Sequence, residues 1–334
     1  MNKIYNHVND IQECKMLSVQ INLLNKCTSK CVYCKKYTWP DDILDLKVLK
    51  KCIHYLKGRG VQSIVFSGGD PILYPFIEDI LSYCKGLNIQ TSLITTLIST
   101  NKELLEFIAK NCTRIHCSID SSNVDTYKKL RGVDAINLVK DNIKFVNTVR
   151  KLYNEIPIRI SSTISNKNYG EIEDLFNFAK DTYSTINYYF IHEHVDYFMN
   201  DEEQHKFINN IERIANIDCE NISNAKSILE TSFTKDISKV KSKYCKIPYI
   251  HCLINANGDI YPCCKLLNDN GCYGEQLKYV YGNIYNEDLD FEFSKRFSNY
   301  NICEYCNGCE ERYTSIIDSV NDIIDNKCKL RLFL

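Results

Sequence analysis

Residues 17–34 read LSVQINLLNKCTSKCVYC. The first eight, Leu17 to Leu24, alternate loosely between apolar and polar, which predicts a β-strand. Directly after it come Cys27, Cys31 and Cys34 in the spacing C-x3-C-x2-C. Three thiolates within so short a loop can wrap one metal cluster, but they do not complete a four-ligand site. A structural zinc site wants four closed ligands, and the nearest later histidine is His54. The missing ligand leaves one metal position open to a substrate or cofactor.

Outward from this loop the chain alternates strands and helices. Residues 46–57, LKVLKKCIHYLK, place apolar residues at helical spacing and end at Gly58 and Gly60. Residues 61–66, VQSIVF, predict a second strand, closed by the turn Ser67-Gly68-Gly69-Asp70-Pro71. Further strands are predicted at 89–95, 114–119, 157–163 and 186–191, with helices over 75–85, 101–110, 134–151 and 170–180. Six such units imply an α/β fold with a parallel sheet and helical crossovers. Polar residues gather where strands end: Gly68 to Asp70, Ser118 and Asp120, Ser161 and Thr163. In barrel folds that edge carries the chemistry, although a hydroxyl there is more often a turn or cap residue. His192, Glu193 and His194 follow the sixth strand and could equally line a cavity or face solvent.

Composition narrows the class. Lys plus Arg is 41 and Asp plus Glu is 42. That balance argues against nucleic acid as a partner. Without a basic background the 23 tyrosines read as core and cleft aromatics. The N-terminus, MNKIYNHVNDIQECKML, carries no apolar run after its charges, so it does not read as a signal peptide. No run of apolar residues is long enough to span a membrane, and the expected location is cytoplasmic. Export would have suggested disulfides for the 18 cysteines. Cys52, Cys84, Cys112 and Cys117 sit singly in periodic segments and read as inert core. The others cluster at 27–34 and 245–309, with Cys328 behind, and clustering points to metal. The expected organisation is an N-terminal extension over 1–16, a first domain over 17–235 and a small cysteine-rich domain over 236–334.

CTSKCVYC, with aromatic Tyr33 before the last cysteine, resembles the signature of the radical S-adenosylmethionine (SAM) superfamily. Ser67-Gly68-Gly69-Asp70-Pro71 is similar to the superfamily's Gly-Gly-Glu-Pro motif, which contacts the SAM amino group; here Asp70 stands where Glu is commoner. Residues 127–146, YKKLRGVDAINLVKDNIKFV, resemble a segment found after the fourth strand in these enzymes. The resemblance implies a partial (β/α)6 TIM-like barrel. It implies a [4Fe–4S] cluster on Cys27, Cys31 and Cys34 whose open iron chelates SAM. One electron from a partner such as flavodoxin or ferredoxin would then cleave SAM to a 5′-deoxyadenosyl radical that abstracts a hydrogen atom. Gly68, Gly69, Asp70, Tyr33, Ser118, Asp120, Ser161 and Thr163 become candidate SAM or substrate contacts.

The second cysteine region begins with CKIPYIHCLINANGDIYPC, residues 245–263. LIN, an Ala-Asn-Gly-Asp turn and IYP predict a β-hairpin whose ends bring Cys245 and Cys263 together. CEYCNGC then supplies Cys303, Cys306 and Cys309, and Cys328 follows. Taken alone, this suits zinc as well as iron–sulfur. Beside the first site, Cys245, Gly258 and Cys263 resemble the C-x9–15-G-x4-C element of the SPASM and twitch extensions, which hold auxiliary [4Fe–4S] clusters. One cysteine of the full SPASM pattern is missing. In the twitch reading one cluster uses Cys245, Cys263 and a pair from 303–309. In the SPASM reading the first cluster takes Cys245, Cys263 and Cys309, with Cys252 a further candidate. The second takes Cys303, Cys306 and Cys328, with Cys272 or an open position. Cys264 reads as a hairpin residue. Cys219, Cys252 and Cys272 stay uncommitted, and one of them could donate a hydrogen atom, as in some peptide epimerases.

The resemblance implies an enzyme that modifies a ribosomally made peptide by crosslinking, epimerisation or oxidation. The alternatives are a small-molecule dehydrogenase or cyclase, or a non-catalytic iron–sulfur or zinc protein. The short N-terminal extension leaves a leader peptide to bind elsewhere or on a separate protein.

Overall fold

A computed structural model describes residues 15–34, 39–191, 194–217, 222, 245–268, 279–295 and 320. Strand β1 (Ser18–Leu24) is followed by helix α1 (Leu46–Gly58), β2 (Ser63–Gly68), α2 (Ile77–Gly86), β3 (Gln90–Thr95), α3 (Lys102–Asn111) and β4 (Arg114–Ser118). Then come α4 (Val124–Arg131), α5 (Ile136–Leu152), β5 (Arg159–Ile164), α6 (Ile172–Asp181), β6 (Thr185–Phe190) and α7 (Asp201–Ile217). The later elements are β7 (His251–Ile254), β8 (Asp259–Tyr261), α8 (Cys264–Asn268), β9 (Gly282–Asn283) and α9 (Leu289–Ser294). All six sequence-predicted strands form. α4 was not predicted: its polar run, VDTYKKLR, has too few apolar residues to announce a helix.

The sheet order is β6-β5-β4-β3-β2-β1-β7-β8-β9. β1 to β6 pair in parallel, each with its sequence neighbour, which the helical crossovers between them make possible. The result is a partial α/β barrel. β7 adds in parallel to the free side of β1, and β8 and β9 continue antiparallel. The predicted hairpin therefore extends the barrel's own sheet. A buried hydrogen bond of 3.1 Å from Asn22 to Asn255 ties the two parts.

Strand alternation sorts the faces. Val19, Ile21, Ile64, Phe66, Leu93, Ile115, Cys117 and Ile160 are buried under the helices. α1 meets them with Leu49, Cys52, Ile53 and Leu56, and α2 with Ile77, Ile80, Leu81 and Cys84. That i, i+3, i+4, i+7 stripe is what an amphipathic helix on a sheet needs. Cys52, Cys84, Cys112 and Cys117 lie in this core, as expected. Asp45 caps α1 by accepting from the amides of Lys47 and Val48. The other sheet face carries Gln20, Ser92, Arg114, His116, Arg159 and Ser161, all half-buried. No helix among the described residues is long and apolar enough to cross a membrane.

Candidate active site

At the carboxyl end of β1 the pairing with β2 shifts register between Asn22 and Leu24, and the cysteine loop leaves the sheet there. Three neighbouring segments hold it. The first is the Gly68–Asp70 turn at the end of β2. Its Gly69 and Asp70 amides donate to the carbonyls of Leu24 (2.7 Å) and Lys26 (2.9 Å). A Cβ on Gly68 would stand 2.3 Å from the Leu24 oxygen, and one on Gly69 would stand 2.1 Å from the Lys26 oxygen. Only glycine permits that approach. The second is the end of α4. Lys30 and Val32 donate to the carbonyls of Arg131 (2.9 Å) and Leu130 (3.0 Å), and Gly132 ends the helix at φ 67°. The third is Thr96, whose hydroxyl stands 3.3 Å from that of Thr28.

Within the loop, the Cys34 amide donates to the Cys31 carbonyl at 3.0 Å, closing a turn. Cys31 is buried, whereas Cys27 and Cys34 are half-buried. Burial pushes the Cys27 thiol up to about 11, and it also raises Cys31, where the Arg131 cation works in the opposite direction. A thiol must lose its proton to ligate a metal, so metal binding would work against this upward shift. Arg131 Nη1 stands 3.6 Å from the Cys31 sulfur, so a donor is ready for a ligating thiolate. Three thiols on one loop, one with a cationic donor beside it, fit an iron–sulfur cluster. Among the described residues no three His, Cys, Asp or Glu side chains stand together as ligands of a single metal ion. A [4Fe–4S] cluster asks for something else, separate thiolates each on its own iron.

Asp120 organises the floor under this loop. Its carboxylate is 0% exposed and 2.6 Å from Arg131 Nε. It accepts from Arg131 Nη2 and the Thr163 amide, each at 2.8 Å, and from the Tyr33 hydroxyl. Asn168 donates to the Asp120 carbonyl at 2.6 Å. Burial alone would lower the Arg131 guanidinium, but Asp120, Cys31 and Tyr127 hold it above its ordinary value. Arg131 is a permanent cation against the cluster loop. Sequence reading passed over it; the available signal was its place in YKKLRG, just ahead of the αL glycine.

Asp70 has a different setting from the expected one. Both carboxylate oxygens already have partners in the chain. Oδ1 accepts from the Thr95 hydroxyl at 2.6 Å and the Ile72 amide at 3.4 Å. Oδ2 accepts from the Thr96 amide at 3.1 Å and the Thr96 hydroxyl. Buried and so partnered, the carboxylate anchors the glycine turn to the end of β3. Ser118, Ser161 and Thr163 are half-buried on the sheet face opposite the helices. His194 is half-buried and packs edge-on to Tyr197; His192 and Glu193 lie outside the described residues.

Residues 21–179 match the sequence model of the radical SAM superfamily. This segment is a radical SAM domain. Parts of the chain are also similar in sequence to other proteins. An uncharacterised protein of Methanocaldococcus jannaschii is 27% identical, with 76% of this chain and 86% of that protein aligned. The AdoMet-dependent heme synthase of Methanosarcina barkeri is 26% identical over 46% of this chain and 44% of its own. A probable GTP 3′,8-cyclase of Thermococcus kodakarensis is 26% identical over 49% and 53%. The chain thus spans about half the length of these last two relatives. Among solved structures, Streptococcus suis SuiB bound to precursor peptide SuiA superposes with a TM-score of 0.60 at 20% identity, covering 95% of this chain and 77% of SuiB. Native anSMEcpe with bound AdoMet and Cp18Cys peptide gives 0.63 at 17% identity, over 87% and 82%. The fold is theirs: a radical SAM partial barrel with a further C-terminal region.

In that region the hairpin is built as predicted. The turn between β7 and β8 closes with Gly258 N–H on the Asn255 carbonyl at 2.9 Å, and Gly258 takes φ 89°. Cys245 and Cys263, which precede and follow the hairpin, are half-buried, and Cys252 is buried on β7. Cys219, Cys272, Cys303, Cys306, Cys309 and Cys328 lie outside the described residues.

Proposed function

We propose that the chain is a radical SAM enzyme that modifies a peptide. The cysteine loop carries the reading: Cys27, Cys31 and Cys34 ride on a loop clamped at the carboxyl edge of the barrel by a glycine turn and a buried arginine. When bound, the cluster and SAM together supply reductive cleavage of the sulfonium and a radical able to take a hydrogen atom from the substrate. The chain's own residues do the positioning. Cys27, Cys31 and Cys34 would hold the cluster through three of its irons. Arg131 donates to the Cys31 sulfur and offsets thiolate charge. Gly68 and Gly69 bring the β2 turn against the loop, where SAM would bind. Asp120 fixes Tyr33, Arg131 and the Thr163 amide in one place. Ser118, Ser161 and Thr163 are the candidates to touch SAM or substrate.

Cys245 and Cys263, with Cys303, Cys306, Cys309 and Cys328, are proposed to hold one or two auxiliary [4Fe–4S] clusters. Residues 236–334 would form that smaller domain, with electrons arriving from flavodoxin or ferredoxin. The peptide assignment is supported by fold likeness over most of the chain to SuiB with SuiA and anSMEcpe with its peptide. A small-molecule reaction is the second reading, favoured by the sequence likeness to GTP 3′,8-cyclases.

The experiment is anaerobic reconstitution, reduction with dithionite and assay of 5′-deoxyadenosine. Production is expected with SAM alone and should rise with the true substrate. Zinc without iron, and no SAM cleavage, would leave the non-catalytic reading. A mass change in a co-expressed short precursor peptide would decide for peptide over small molecule.

A further inference from the structure

The cysteine loop turns a positively charged face to solvent. Residues 26–34 carry Lys26 and Lys30 and no Asp or Glu, and both lysines are exposed. The loop is joined to the end of α4 by the Lys30 and Val32 amides, which donate to the carbonyls of Arg131 and Leu130. α4 brings Lys128 and Lys129, also exposed, to that same end. Lys128 pairs with Asp134 at 3.4 Å. Among the described residues no carboxylate pairs with Lys26, Lys30 or Lys129. Asp125, one turn before Lys129, is the one acidic residue of α4. The chain as a whole carries 41 Lys and Arg against 42 Asp and Glu, so this excess is local.

Cations in the last turn of a helix have a local cause, the partial negative charge of its carbonyls. That covers Lys128 and Lys129. It does not cover Lys26 and Lys30, which lie on the loop. Two apolar side chains stand among these cations: Val32 is 39% exposed and Val124 is 40% exposed. Val124 and Lys128 lie at i and i+4 and share one side of α4, and Val32 is tied to the helix by its own amide. An apolar centre inside a charged rim is the anatomy of a transient protein interface. Lys30 and Val32 flank Cys31, so a partner seated on this face comes within one residue of a cluster ligand.

We propose that this face docks the electron donor, a small acidic flavoprotein of the flavodoxin kind. The proposal rests on the radical SAM reading, which requires a cluster reduced from outside. A reduced flavin held by an acidic protein offers both halves of the match: carboxylates for the lysines, and the apolar dimethylbenzene edge of the flavin for Val32 and Val124. In the transfer the donor is oxidised by one electron and the cluster is reduced from its 2+ to its 1+ charge. No bond forms or breaks.

Oxidised flavodoxin would be titrated into the reconstituted holoprotein by calorimetry at about 50 mM and about 500 mM salt. The wild type should bind at least about tenfold more weakly at the higher salt. The double variant Lys30→Glu, Lys129→Glu should bind at least about tenfold more weakly than the wild type at the lower salt, with iron per chain unchanged. It should slow 5′-deoxyadenosine formation driven by reduced flavodoxin to a similar degree. Formation driven by dithionite, which needs no docking, should stay within about twofold of the wild type. Equal flavodoxin binding by wild type and variant, or an equal loss of rate with both reductants, overturns the proposal. So does a wild type that binds ferredoxin in place of flavodoxin, or neither. Should Lys30→Glu disturb the loop, seen as lost iron, the pair Lys128→Glu, Lys129→Glu on α4 alone takes its place. SAM cleavage by the dithionite-reduced wild type, run alongside, tests the underlying reading separately. Its absence would sink the radical reading, while flavodoxin binding lost on charge reversal would leave the docking surface standing.

Discussion

At the scale of single residues the site depends on two buried carboxylates. Asp120 and Arg131 are 0% and 6% exposed. Breaking such a pair leaves an uncompensated charge, so Arg131→Met should cost about 3–5 kcal/mol. The neutral double variant Asp120→Asn, Arg131→Met should recover most of it, and urea unfolding would measure both. Equal losses in the single and double variants would show that the pairing is not what matters. Asp70→Ala removes the acceptor for the Thr95 and Thr96 hydroxyls. It should weaken SAM binding more than it lowers iron content, because it loosens the turn and leaves the cysteines in place. Unchanged SAM affinity on titration of the reconstituted variant would count against this. The carboxylates were legible in the sequence as strand-end residues, but their partners were not. Arg131 and Arg150 look in sequence like surface cations of amphipathic helices, and burial of a charge on a helix leaves no local trace.

The same division appears among the elements. Strand and helix periodicity gave the alternation of β1 to β6 with their crossovers, because burial against the sheet imposes periods of 2 and 3.6. The place of the hairpin in the sheet was hidden, since β-pairing between residues 18–21 and 251–254 is set by tertiary contact alone. α4 was hidden for a different reason: only Tyr127, Leu130 and Arg131 of it are buried. Its importance lies in its end, where Gly132 sits in the αL region with the Lys30 carbonyl 2.7 Å from where a Cβ would stand. Gly132→Ala should therefore displace the cysteine loop and cost about 1–3 kcal/mol. Gly69→Ala should be harsher, because its Cβ would stand 2.1 Å from the Lys26 oxygen and 2.4 Å from the Asn25 oxygen. Both should lower iron per chain after reconstitution, and full iron content in either would argue that the loop is held otherwise.

For the molecule as a whole, the account places one cluster in the barrel and independent iron in the C-terminal region. A variant lacking Cys27, Cys31 and Cys34 should lose about four irons and keep at least about four, with a cubane Mössbauer signal. A remainder near eight favours two auxiliary clusters, and an iron-free triple variant refutes them. Adding Cys245→Ala should lower the remainder, and no change would remove the hairpin from the ligand set. Which of Cys303, Cys306, Cys309 and Cys328 serve was beyond the sequence, because spacing alone admits more than one ligand set. The central claim is that the cysteine loop holds the iron that cleaves SAM, and the most direct measurement is 5′-deoxyadenosine formed by the dithionite-reduced, reconstituted protein. The account predicts production by the wild type and none by Cys31→Ala, with the variant still folded by circular dichroism. Full production by Cys31→Ala, or none by an iron-loaded wild type, would contradict it.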